Sequence, residues 1–220
     1  MIRLLESINE ISQSCRNAAV MFSCGRDSIV MIDLFHAFAP DSIGKVFFMY
    51  YCPGLAFEEK ILTYYEKRYG HEIERIAHPD CAYLVNNRVK TRKLRISDVE
   101  KMLRSDFESD WIAWGYRKDE SLERRGQLAL APQGIDWKYR KLFPIAEWSR
   151  RHVEAWVRDR RLLIPPEYRH GFRDINTFKG ESLLYIFRNY PDDYARIVAM
   201  YPDVEGELMR AREGIGGRSK

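Results

Sequence analysis

The hexapeptide Ser23-Cys24-Gly25-Arg26-Asp27-Ser28 combines hydroxyls, a glycine, a guanidinium and a carboxylate in one short stretch. It follows one apolar run and leads into a longer one, so it lies where a strand turns into a helix. Main-chain amides at a helix start point outward and attract anions. Gly25 lets the backbone approach a phosphate closely. Ser23 and Ser28 can donate hydroxyls to phosphate oxygens, and Arg26 offers a charged fork. Asp27 would repel a phosphate; it suits a magnesium ligand or a cap that holds the loop. The Gly-Lys-Ser/Thr ending of the common nucleotide loop is absent, as is the glycine spacing of the dinucleotide fingerprint. A second charged group, Arg117, Lys118, Arg124 and Arg125, follows later in the chain. Guanidinium groups aimed at a transferring phosphoryl or sulfuryl group stabilise charge that builds in the transition state. From the residues alone, a solvated charged loop stands beside that reading. Lys118 and Arg125 are expected in solvent, beside Asp119, Glu120 and Glu123.

Stepping outward from these residues, Ile2 to about Ser14 spaces Leu4, Leu5, Ile8 and Ile11 along one helical face. Ala18–Phe22 is a continuous apolar run of the kind that suits a parallel strand covered on both faces. Ile29–Phe38 has helical length. The pattern recurs: Lys45–Tyr51 predicts a strand broken by Cys52-Pro53-Gly54, and Phe57–Tyr69 a helix ended by Gly70. His71–Ile76 predicts a third strand, Asp98–Phe107 a helix and Trp111–Gly115 a fourth strand. Such alternation argues for an α/β fold: a doubly wound, mostly parallel sheet with helices on both faces. After about Leu142 the character becomes helical, with Trp148–Arg161, Ser182–Tyr190, Asp192–Met200 and Val204–Arg212. The expected organisation is a sheet domain at 1–142, a helical C-terminal extension at 143–213 and a flexible tail at 214–220. In open sheets, ligands bind beyond the carboxyl ends of strands where the topology switches. That rule places Ser23–Ser28 and the Arg117–Arg124 loop on opposite banks of one crevice.

Three further groups have blander readings. Arg88, Lys90, Arg92, Lys93 and Arg95 form a basic run without the interleaved aromatics of a nucleic-acid surface. A solvated or substrate-anion role stands there beside a nucleic-acid one. His71 and His78, flanking the third strand, fit structural roles. Trp148 and Trp156, at helical spacing, fit the core.

The loop resembles the Ser-Gly-Gly-x-Asp-Ser pyrophosphate loop of the adenine nucleotide alpha hydrolases, with Cys24 where that pattern often has glycine. Pro53-Gly54-Leu55-Ala56-Phe57-Glu58-Glu59 is similar to the Asp-Thr-Gly…Phe-x-Glu segment of phosphoadenosine phosphosulfate (PAPS) reductases, with Cys52 and Pro53 at the Asp and Thr positions. Gly115-Tyr116-Arg117-Lys118-Asp119-Glu120-Ser121 with Arg124 resembles their Gly-x-Arg-x-x-x-Ser-x-x-Arg segment. Pro144-Ile145-Ala146-Glu147-Trp148, with Val153 and Trp156, resembles a later stretch, and Pro165, Tyr168 and Gly171 extend it. The resemblance runs in order from about Ala18 to Phe172. It implies an adenine nucleotide held by Ser23, Cys24, Gly25, Arg26, Asp27, Ser28, Gly54 and Gly115. It implies catalysis by Asp27, Arg117 and Arg124, with magnesium on Asp27.

One departure shapes the expected function. PAPS reductases use a nucleophilic cysteine in their tail, and many relatives acting on adenosine phosphosulfate (APS) add cysteine ligands for an iron–sulfur cluster. Here Cys15, Cys24, Cys52 and Cys81 are the only cysteines, none at zinc-site spacing. Neither an iron–sulfur cluster nor zinc is expected. Of the four, Cys52 is a slightly better substitute nucleophile than Cys24. The leading expectation is an enzyme of the pyrophosphate-loop type. It binds ATP and magnesium, splits between the α and β phosphates and adenylates an acceptor, in sulfur transfer or nucleic-acid modification. The alternatives are a PAPS or APS reductase-like protein served by a partner's cysteine, and a nucleotide-binding module without turnover.

Composition bounds the rest. The 220 residues carry a net charge of +4, with 45% hydrophobic and 31% charged residues, ordinary values for a globular chain. With 13 Tyr, 11 Phe and 5 Trp, disorder is excluded as the main state. No apolar run reaches membrane-span length, and Met1–Glu6 does not resemble a signal peptide, so no membrane partner and a cytoplasmic location are expected. Expected partners are an adenine nucleotide, a protein supplying sulfur or a cysteine, nucleic acid, or a second copy in a homodimer.

Overall fold

The structure, a computed structural model, describes residues 2–81, 94–170, 178 and 180–213. Most of the basic run (Arg88, Lys90, Arg92, Lys93), Gly171, Phe172 and the tail 214–220 lie outside the described residues.

Six strands form one sheet: β1 (Ala18–Phe22), β2 (Ile43–Tyr50), β3 (Ile73–Ala77), β4 (Trp111–Ala113), β5 (Ile135–Asp136) and β6 (Lys141–Leu142), in the order β3-β2-β1-β4-β6-β5. All pairings are parallel except β5 with β6. β1 lies between β2 and β4, so the chain leaves it in one direction and later returns on its other side. That reversal is the topological switch point.

Every residue of β1 is buried, because helices cover both faces. Val20 and Phe22 face one way, into a core with Ile8 and Ile11 of α1 (Ile2–Ser14), Ile29 and Ile32 of α2 (Arg26–Phe38) and Leu62 of α3 (Ala56–Tyr69). Ala19 and Met21 face the other way, toward Val99 and Leu103 of α4 (Ile96–Ser105) and Leu128 of α5 (Leu122–Leu128). This alternation across the sheet is the period-2 geometry of a strand. The third strand begins at Ile73 rather than His71. Gly70 ends α3 in the left-handed conformation (φ +69°), and two further residues carry the chain to the sheet edge.

The β5–β6 hairpin has no counterpart in the sequence expectations. Its strands are two residues each, too short to show alternation. The turn is held by the Tyr139 amide donating to Asp136 (3.0 Å) and by Arg104 donating to the Tyr139 carbonyl (2.7 Å).

Beyond Leu142 the chain supports the site in two places. α6 (Arg150–Asp159) packs on α2, with Trp148 and Val153 in the main core. Trp156 is only partly buried; its indole N–H donates to the fully buried Asp33 (2.9 Å), which also accepts from Tyr69 (2.6 Å) and Arg160 (2.9 Å). α7 (Gly180–Asn189), α8 (Pro191–Met200) and α9 (Val204–Arg212) form a separate apolar cluster with Cys52, Leu55 and Phe57, on the segment that follows β2.

Candidate functional site

The Ser23–Ser28 loop leaves β1 and winds into α2. Its shape is fixed by Ser28, which is buried: the Ser28 hydroxyl donates to the Gly25 carbonyl (2.9 Å) and accepts from the Ser23 amide (3.0 Å) and hydroxyl (3.1 Å). α2 begins without a side-chain cap. Cys24 sits at φ +58°, in the left-handed region that favours glycine. That explains why the resembling pattern often has glycine there. The cysteine is nevertheless buried.

Beside the loop lies a cavity of about 450 Å³. All six loop residues line it, and the opposite wall is Trp114, Gly115, Tyr116, Glu120 and Arg124 at the end of β4. A Cβ on Gly115 would come within 3.1 Å of the Ser28 amide nitrogen, so a bare backbone here lets the two banks approach. Pro165, Glu167 and Tyr168 close the wall from beyond α6. Tyr168 accepts from the Arg26 amide (3.3 Å) and lies under the Arg26 guanidinium (4.7 Å to the ring centre), which also pairs with Glu154 (3.0 Å).

The expected catalytic arginines part company. Arg124 lines the cavity, its guanidinium carbon 3.4 Å from the centre of the Tyr116 ring. Arg117 does not line it. Its side chain is folded inward and grips Asp27 with two bonds (2.8 and 3.3 Å), with Asp119 at 3.6 Å. Both oxygens of the carboxylate expected to hold magnesium thus accept from an arginine. Among the described residues no group of three or more His, Cys, Asp or Glu side chains is placed to hold a metal ion. Gly54 lies apart from the cavity lining; its carbonyl accepts from Arg196 of α8 (3.1 Å). Lys118, expected in solvent, pairs with Glu147.

Several lining residues escaped the sequence reading. Glu58 and Glu167 are buried carboxylates on the wall. His78, which the sequence suggested as structural, also lines the cavity. It is stacked on Tyr51 (4.3 Å between ring centres), its Nδ1 accepting from the Asp80 amide (3.1 Å), and burial lowers its pKa. Glu58 alone carried a signal, inside the motif after β2; the others depend on long-range packing.

All four cysteines are buried. Burial pushes the thiols of Cys15 and Cys52 up to about 11 and raises that of Cys81. Cys24 is raised well above its ordinary value, first by burial and then by the charges of Glu58 and Glu167. A thiol held protonated is a poor nucleophile.

Comparison with known proteins gives a consistent picture. A family model described as the phosphoadenosine phosphosulfate reductase domain matches residues 17–179. No curated protein matches the chain. The fold is similar to that of a PAPS reductase from Candida auris in complex with phosphate (TM-score 0.56, 11% identity, 78% of this chain and 86% of that one). It is also similar to an FMN adenylyltransferase from Candida glabrata in complex with FAD and inorganic pyrophosphate (TM-score 0.55, 16% identity, 78% of this chain and 60% of that one). A third similar structure is the U34-tRNA thiolase NcsA of Methanococcus maripaludis with its [4Fe-4S] cluster (TM-score 0.51, 14% identity, 93% of this chain and 78% of that one).

Proposed function

The chain belongs to the phosphoadenosine phosphosulfate reductase domain family, and from that premise we propose that it binds ATP in the cavity between Ser23–Ser28 and Gly115–Arg124, splits it between the α and β phosphates and adenylates an acceptor. The β and γ phosphates lie on the main-chain amides of the loop at the start of α2. Arg124 reaches the phosphoryl group from the β4 bank. An acceptor oxygen attacks the α-phosphorus and pyrophosphate leaves. Such chemistry is largely positioning and charge stabilisation, so it demands few side chains. Magnesium, when carried in with the polyphosphate, would neutralise phosphate charge. Asp27 is the loop carboxylate that would serve it, in exchange with Arg117. The nucleotide-binding work falls to residues 1–142, and 143–213 adds Glu167 and Tyr168 to the wall.

The observation that carries adenylyl transfer over reduction is the state of the cysteines: each is buried, with its thiol held protonated. Reduction of a sulfonucleotide would need a thiol from a partner protein. That second reading is favoured by the family match itself.

Pyrophosphate release from ATP, measured with and without candidate acceptors, tests the proposal. Release is expected in the wild type and a loss of tenfold or more in Ser28→Ala, whose loop loses its central hydroxyl. Tight ATP binding without release under any condition would leave a binding module. Release of adenosine 3′,5′-bisphosphate from PAPS on adding a thiol protein would favour the second reading.

A further inference from the structure

α6 begins beside the cavity and runs away from it along α2. Glu154 meets Arg26 at the start of α2 (3.0 Å), and Trp156 and Arg160 meet Asp33 two turns further on (2.9 Å each). The inward side of α6 is Val153, Trp156 and Val157. Residues three and four apart share a helical face, so Arg151, Ala155 and Arg158 form one line on the outward side. Arg151 and Arg158 are exposed, as is Arg161 just past the helix. At the start of the line, Arg150 pairs with Glu154 (2.7 Å), the same carboxylate that pairs with Arg26 of the cavity lining.

These charges work against the helix that carries them. Its first turn holds Arg150 and Arg151 and no acid, where the macrodipole favours an anion. Glu154 offsets Arg150, but among the described residues Arg151 and Arg161 form no ion pair. Arg158 pairs with the adjacent Asp159 (3.1 Å), a contact between exposed groups that contributes little. Arg158 and Arg161 are like charges three residues apart, which is unfavourable on its own. A surface that keeps like charges together in this way suits a polyanion, whose regular charges meet several guanidinium groups at once. Ala155, between Arg151 and Arg158, leaves room for a backbone to approach. The line holds no aromatic ring, so it suits contact with phosphates and not the stacking of bases.

We propose that the outward face of α6, Arg151 and Arg158 with Arg161 beyond them, seats the phosphodiester backbone of a nucleic acid and leads it to the cavity at Arg150 and Arg26. The acceptor of the adenylyl transfer is then a nucleic acid. That assignment rests on the ATP reading, whereas the binding surface stands without it. Phosphate contacts fix position and not sequence, so the choice of reacting group falls to the cavity. Arg151, Arg158 and Arg161 are positioning residues, since none of them lines the cavity.

The test uses the full chain and fluorescence anisotropy with a labelled RNA strand, a DNA strand and an RNA stem–loop, so the arms separate the sources of phosphodiester. Binding is expected, and it should weaken as salt rises. The triple variant Arg151→Gln/Arg158→Gln/Arg161→Gln should bind roughly tenfold or more weakly. Its plot of log affinity against log salt should be shallower by about 2, the share of three phosphate contacts on a single strand. The matching lysine variant keeps the charges and should keep the wild-type slope. ATP affinity should be the same in all three proteins. In the wild type the preferred nucleic acid should raise pyrophosphate release from ATP, and the glutamine variant should lose that stimulation. Equal nucleic-acid affinity in wild type and glutamine variant would overturn the surface. So would an unchanged salt slope, a lysine variant that binds no better than the glutamine one, or binding of phosphatidylserine vesicles with none of the nucleic acids. Binding without stimulation, in a protein that releases pyrophosphate for another acceptor, would overturn the acceptor assignment. Failure of ATP to bind the wild type counts instead against the ATP reading, and the salt slopes still decide the surface. Matched melting temperatures separate a lost contact from a lost fold. Should the triple variant melt early, Arg151→Gln alone must make the slope shallower by about 0.7, or the proposal falls.

Discussion

Helices α2 and α3 both leave the carboxyl end of a parallel strand, and neither starts with a side-chain cap from its own N-cap residue, Gly25 or Leu55. Their first turns are treated in opposite ways. At α3 the amides of Ala56 and Phe57 donate to the buried carboxylate of Asp193 (2.8 and 3.2 Å), delivered from α8. Asp193 also lies in the first turn of α8 itself, so one anion serves the positive ends of two helices. At α2 the first turn faces the cavity. The acid within that turn, Asp27, is gripped by Arg117 rather than left beside the amides. The contrast teaches how the two strand ends differ: the protein supplies its own anion to one helix and pairs its own anion with an arginine at the other, beside the cavity. It also explains why Gly54 lies off the cavity, since Arg196 and Asp193 of α8 cover that strand end.

The Arg117–Asp27 pair gives the largest expected effect. Arg117 is one of the few charged side chains in the interior (8% exposed). Removing one partner of such a pair strands the other. Arg117→Ala is therefore expected to cost about 2 to 3 kcal/mol in urea unfolding and to weaken ATP binding by placing a bare carboxylate at the cradle. The double variant Asp27→Ala/Arg117→Ala should cost less than the two single changes added together. Additive losses would show that the α2 end needs no such neutralisation and would break the contrast. The inward side chain thus gives Arg117 a share in the fold beside the catalytic part expected of it.

Asp193→Ala comes next, at about 1 to 2 kcal/mol, because two helix-start amides lose a charged acceptor. Asp193→Asn should recover part of this loss, since an amide oxygen still accepts. Protection of the Ala56 and Phe57 amides from hydrogen exchange should drop in Asp193→Ala, while the first turn of α2 keeps its wild-type rates. Unchanged exchange at Ala56 and Phe57 would mean that the cap is not formed in solution.

Much of this arrangement was legible in the sequence. β1, β2 and the loop between β1 and α2 were readable because continuous apolar runs and a small-residue turn are local signals. The partner of Arg117 was not. Asp119, Glu120 and Glu123 stand nearer in sequence than Asp27, and only the path of the chain after β4 decides among them. Asp193 is 136 residues from Phe57, in a helix whose own pattern signals nothing about α3. Trp114 has the appearance of an ordinary strand residue, and its partnerless N–H exists only once neighbours surround it. Local chemistry thus picked out the Ser23–Ser28 turn, whereas the satisfaction of charges and donors emerged from packing.

Gly115→Ala is expected to have a smaller effect, confined to the α2 side of the comparison. The added methyl would meet main-chain atoms of Asp27 and Ser28 at 3.1 to 3.2 Å, tighter than an ordinary contact. The loop must move by a few tenths of an ångström, at about 1 kcal/mol, the low end for overpacking. ATP affinity should fall while Asp193-dependent protection at Ala56 stays unchanged. An ATP affinity equal to wild type would show that the close approach of the two banks is not needed for binding.

An effect confined to acid pH lies at the other ends of the same two helices. His36, near the end of α2, stacks on Tyr69 of α3 (4.1 Å between ring centres) beside His71 (4.9 Å). Burial lowers the His36 pKa to about 4, with His71 adding to the shift and Asp33 opposing it. The unfolded chain, with an ordinary histidine near 6.5, therefore binds more protons than the folded one between about pH 6.5 and 4. The stability that comes from keeping His36 neutral is present above pH 6.5 and is lost as the pH falls through that window. Below about pH 4 both states are protonated and this contribution levels off. His36→Gln removes the titration, so the difference in unfolding free energy between wild type and variant should change across pH 6.5 to 4 and stay flat from pH 7 to 8. A difference independent of pH would place His36 in solvent and dissolve the contact between the helix ends, while leaving the contrast at their starts intact.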